Sequence, residues 1–91
     1  MPTLRIPTLM KYYVAGQTEV PLQGTSVVAI LDDLVERYPA IKTQLFDSKG
    51  NLRRHINLFI NDTNINDLTG LETAVKDGDR LILLPSISGG Q

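Results

Sequence analysis

The chain has 91 residues, 42% hydrophobic and 21% charged, with a formal net charge of -1. That is an ordinary one-domain composition, and its evenly spread charge lacks the basic field that nucleic-acid binding needs. There is no cysteine and a single histidine, so neither a disulfide nor a thiolate metal site supplements the core of this small domain.

Thr3 to Leu9 reads as a strand, with Leu4 and Ile6 alternating against Thr3 and Arg5; Pro7 interrupts its ladder. Ala15-Gly16-Gln17 offers a turn into a second strand, Thr18 to Leu22, and Pro21 suits an edge position. Gly24-Thr25-Ser26 then supplies a helix start, and Val27, Leu31, Leu34 and Tyr38 recur at helical spacing. Asp32, Asp33, Glu36 and Arg37 fall on the wet side, and Pro39 ends the helix. Arg54 to Asn61 alternates again, Ile56, Leu58 and Ile60 against His55, Asn57 and Phe59. Asn61 to Asn64 and Asp77-Gly78-Asp79 are turn clusters, and Arg80 to Leu84 is a closing strand before Pro85.

This β-β-α-β-β order predicts an α+β fold of the β-grasp, ubiquitin-like kind. One main helix covers one face of a mixed four- to five-stranded sheet, whose first and last strands lie parallel at its centre. The predicted core is Leu4, Ile6, Ile56, Leu58, Ile60, Leu81 and Leu83. Residues 1–85 form the domain, and 86–91 an extended, flexible tail. The longest apolar runs, Val27 to Leu31 and Leu81 to Leu84, are too short to cross a bilayer, and Met1 to Lys11 holds no signal-peptide stretch. With no thiols to oxidise, the chain suits a reducing compartment, and the expected location is the cytoplasm.

Catalytic chemistry is sparse. His55 stands alone beside Arg54, and Asp32 and Asp33 diverge around a helix, Asp33 being placed to support Arg37. Asp62, Asn64 and Asn66 match the first ligand positions of a calcium loop. Asp67 then stands where that loop needs glycine, and Thr73 where it needs glutamate, so turn chemistry is the better reading. Neither metal nor cofactor is expected, nor is the chain expected to be an enzyme. Lys49, Arg53 and Arg54 form a modest basic cluster that suits a wet surface or an acidic partner.

After Leu84 the chain runs Pro85-Ser86-Ile87-Ser88-Gly89-Gly90-Gln91, with almost nothing to bury. At about 3.3 Å per extended residue it reaches roughly 20 Å, enough to enter another protein's channel. Glycine lacks a Cβ and fits a narrow tunnel, although Gly-Gly by itself also describes a frayed end.

The run Asp77-Gly78-Asp79, Arg80 to Leu84, Pro85 and Ser88-Gly89-Gly90 resembles the ending of the ThiS/MoaD family of ubiquitin-like sulfur carriers. The likeness covers nearly the whole chain. Asn61-Asp62, Leu68, Gly70-Leu71 and Ile6-Pro7-Thr8 are similar to its CysO-like branch, which serves cysteine biosynthesis. The resemblance implies that an E1-like enzyme adenylates Gly90, that a thiocarboxylate forms there, and that a downstream synthase takes the sulfur. It implies tail recognition through Pro85, Ser88 and Gly89, and docking through the sheet face opposite the helix, where alternation puts Phe59, Ile82 and Leu84. Gln91 departs from the pattern and must be removed, by a peptidase, before Gly90 can react. A plain interaction module, binding through Phe59 and the basic cluster without tail chemistry, is the alternative.

Overall fold

Pro7 decides how the chain begins. The structure, a computed structural model, describes residues 1–85; the expectations placed on Ser88, Gly89, Gly90 and Gln91 lie outside the described residues. The first strand, β1, spans only Thr3–Arg5, and the strand expected as far as Leu9 gives way to a 3-10 helix over Thr8–Val14. Ile6 still donates to the Thr18 carbonyl at 2.8 Å, but Pro7 has no N–H with which to continue the ladder. Met10 instead donates to the Pro7 carbonyl at 2.9 Å and opens the helical turn. Ala15 and Gly16, at φ 58° and 79°, then reverse the chain where the turn was predicted, and lead into β2, Glu19–Pro21.

Helix α1 spans Val27–Arg37 and opens on Ser26, whose side chain accepts from the Ala29 N–H at 3.2 Å. Val27, Ile30, Leu31 and Leu34 are its fully buried stripe. A single-turn helix, α2, follows at Lys42–Leu45. Strands β3 (Ile56–Ile60), β4 (Thr63–Asn64) and β5 (Arg80–Pro85) complete a five-stranded sheet in the order β2-β1-β5-β3-β4. β1 and β5 run parallel and the other pairs antiparallel, with Pro21 on an edge strand as its missing donor requires. Each predicted core residue, from Leu4 to Leu83, is at most 6% exposed. Met10, Val14, Ile41, Leu45, Ile65 and Val75 join this core from segments without strand or long-helix periodicity.

Two turn motifs of the sequence meet in space. Asn61 and Asp62, at φ 48° and 74°, carry the chain from β3 to β4. The Asn61 side chain donates to the Asp79 carboxylate at 2.9 Å and accepts from the Arg80 N–H at 3.1 Å. Asp79 also accepts from the Lys76 N–H at 2.7 Å, and its carbonyl receives the Thr3 N–H at 3.2 Å. The start of β5 is therefore tied to both neighbouring strands, which sets its register. At the other end of the core, the Asp33 carboxylate accepts from the Gln23 N–H at 2.8 Å and pairs with Arg37 at 3.2 Å, so the expected Asp33–Arg37 support is present.

Two expectations follow for stability. A Cβ on Gly24 would sit 2.9 Å from both the Ala29 Cβ and the Ile30 backbone nitrogen, and the first turn of α1 cannot retreat from it. Gly24→Ala should cost about 1–3 kcal/mol by chemical denaturation; an unchanged midpoint would contradict that packing. The backbone N–H of Lys76, then the Asn61 amide, hold Asp79 below the usual carboxylate range; the Gln23 N–H, then Arg37, do the same for Asp33. As pH falls through about 3.9 the unfolded chain takes up these protons before the folded one does, so stability declines from there downward. Denaturation at stepped pH should show that acid limb, and Asp79→Asn should make it shallower.

Candidate functional site

β5 is the strand that leads to the Gly-Gly end, and its alternation splits its side chains between two environments. Leu81 and Leu83 are buried under α1, whereas Ile82 is half-buried and Leu84 is 46% exposed on the opposite face. Strand register extends that face across the sheet. Ile82 lies opposite Phe59 on β3 and Arg5 on β1; Phe59 lies opposite Asn64, Arg5 opposite Glu19, and Leu84 opposite Asn57. The three residues predicted for docking thus share one uncovered face, Phe59 and Ile82 as direct cross-strand neighbours. Pro85, named for tail recognition, closes β5 opposite Ile56.

The place where β5 ends has a second wall. Arg5, Pro7, Thr8 and Lys11 line a cleft together with Ile82 and Leu84. This wall exists because Pro7 converts the end of β1 into the 3-10 helix, and β1 runs parallel to β5, so both segments arrive at the same end of the sheet. The periodicity reading missed this helix and its exposed Leu9 and Tyr12. The available signal was Pro7 followed by apolar residues three apart, which suits a 3-10 turn better than a strand.

The other sequence candidates are dispersed. His55 and Arg54 are exposed at the entry to β3. Arg53 donates through Nε to the Thr43 carbonyl at 2.8 Å, which draws one cation of the basic cluster back onto α2. Asn64 accepts from the Asn66 N–H at 2.9 Å, the turn chemistry expected of that stretch. Among the described residues no cluster of three His, Cys, Asp or Glu side chains could hold a metal, and no helix is long and apolar enough to cross a membrane.

Known proteins share both the sequence and this architecture. The ThiS family model matches residues 7–90. The sulfur carrier protein CysO of Mycobacterium tuberculosis is 37% identical over 90 residues, spanning 97% of each chain. The crystal structure of the Amycolatopsis orientalis BexX/CysO complex contains a chain that superposes with a TM-score of 0.90 at 38% identity, covering 99% of this chain and 100% of that one. The solution structure of small archaeal modifier protein 1 from Methanosarcina acetivorans gives 0.85 at 38% identity, covering 98% and 95%. With a family match across nearly its full length and this sheet beneath it, the chain belongs to the ThiS family and carries the ubiquitin-like β-grasp fold of its sulfur-carrier relatives.

Proposed function

We propose that this protein carries sulfur on the carboxyl of Gly90. The observation that supports the reading most is the reach of the family match, which runs through residue 90 and leaves only Gln91 beyond it. A carrier needs a free glycine carboxylate, so a peptidase must first add water across the Gly90–Gln91 bond and release glutamine. An E1-like enzyme then binds the processed chain with ATP. A Gly90 carboxylate oxygen attacks the α-phosphorus, pyrophosphate leaves, and an acyl adenylate forms. A sulfur nucleophile at the sulfide level displaces AMP, which departs with one of the carboxyl oxygens, and a thiocarboxylate remains. A downstream synthase takes that sulfur into cysteine, the molybdopterin cofactor or thiamin.

In this scheme the body does no bond chemistry. Pro85 stops the sheet ladder, Ser88 and Gly89 are slim enough for a narrow channel, and Phe59, Ile82 and Leu84 dock the partner in the cytoplasm. Likeness to the archaeal modifier proteins favours a second use of the same acyl adenylate. An amine of a target protein would replace sulfur as the nucleophile, expel AMP and form an amide.

The test is to incubate the chain ending at Gly90, and separately the chain retaining Gln91, with ATP and the E1-like enzyme of the same cell. Pyrophosphate release and oxygen-to-sulfur exchange at Gly90 are expected only for the shorter form, with mass spectrometry locating the exchange. Absence of both from the form ending at Gly90 would reject the carrier reading. An interaction module would keep its partner after deletion of Gly89 to Gln91, whereas a carrier loses all turnover.

A further inference from the structure

Among the described residues the most exposed large apolar side chains are Tyr12 at 88% and Leu9 at 82%. Side chains three apart eclipse in a 3-10 helix, so the Thr8–Val14 helix sorts its residues into rows. Met10 and Tyr13 pack on the core, Thr8 and Lys11 line the cleft beside Ile82 and Leu84, and Leu9 and Tyr12 face solvent as a pair. The Tyr12 ring meets half-buried Tyr13 edge-on at 5.4 Å. Two cations, Lys11 between the pair in sequence and Arg5 on β1, line the adjoining cleft. Lys11 and Arg5 take no part in the ion pairs within 4.0 Å found among the described residues.

The chain length between this place and the reactive group is short. Gly90 lies five residues beyond Pro85 (90 − 85), a reach of about 17 Å when fully extended. An enzyme that takes Gly90 into a buried site therefore pulls the end of β5, and the 3-10 helix beside it, against the mouth of its channel.

We propose that Leu9 and Tyr12, backed by Lys11 and Arg5, form a ledge that seats on the rim of the channel receiving Gly90, and that this rim combines apolar side chains with carboxylates. Thr8 and Lys11 of the same helix line the cleft with Ile82 and Leu84, so a partner on the Phe59–Ile82–Leu84 face meets the ledge across that cleft. Cations with no ion pair within 4.0 Å among the described residues suit acidic neighbours across the contact, and the exposed Tyr–Leu pair suits an apolar hollow. The inference rests on the carrier reading, because the reach argument needs Gly90 to be the group inserted.

The test uses the chain ending at Gly90, ATP and the E1-like enzyme of the same cell, with pyrophosphate release measured against carrier concentration. The variants are Y12S, L9S/Y12S and K11E. Both serine variants should keep the wild-type thermal midpoint, since these side chains contact little. L9S/Y12S should raise KM about tenfold or more with kcat retained, and Y12S alone should give part of that rise. K11E should raise KM most at low salt and flatten its salt dependence. A folded L9S/Y12S protein with wild-type KM overturns the ledge and leaves the carrier reading intact. A wild-type chain that is never adenylated removes the carrier reading and the ledge together.

Discussion

The parallel pairing of β1 with β5 is the constraint from which the rest of the architecture follows. It joins the two ends of the described chain at the middle of the sheet, Leu4 beside Leu81 and Arg5 beside Ile82. Parallel strands need a long crossover, and everything from Thr8 to Asp79 serves as that crossover, with α1 laid on one face. Because both strands point the same way, Pro7 and the 3-10 helix, which follow β1, arrive beside Ile82, Leu83 and Leu84 of β5.

That geometry divides the work between a body and an end. The buried face of β5 holds the fold through Leu81 and Leu83, and the other face carries half-buried Ile82 and exposed Leu84, the residues that the proposed docking uses. The polar residues that look most like a site in the sequence are structural. Asn61 and Asp79 bind each other and the start of β5, Asp33 braces the segment before α1, and Asn64 closes a turn. The Asp79 and Asn61 contacts hold the start of β5 in register. In the proposed function the reaction is brought by the partner enzyme, and this chain contributes a carboxyl at a defined distance from a docking face.

Much of the fold was legible because its pattern is periodic. The helix of Val27, Leu31 and Leu34, the alternation of Ile56, Leu58 and Ile60, and the edge position of Pro21 could be read from spacing alone, since each has one face to bury. The Thr8–Val14 segment was not legible in that way. The alternation of Leu4 and Ile6 predicts a strand through it, and the absent N–H of Pro7 outweighs that alternation. Ile65 and Val75 were missed for a related reason: each is a single apolar residue inside a polar loop, and only tertiary packing brings it to the core. That Phe59, Ile82 and Leu84 share one sheet face was legible from strand alternation. The cleft wall at Thr8 and Lys11, and the exposed Leu9 and Tyr12 beside it in sequence, depend on a helix that the pattern hid.

The account turns on Gly90 being freed and then loaded. Its most direct measurement is the intact mass of this protein isolated from its own cell without reducing or nucleophilic additives. The account predicts a population lacking Gln91, part of it with one terminal oxygen replaced by sulfur. A population that always retains Gln91, under conditions where sulfur-dependent biosynthesis is running, would contradict it.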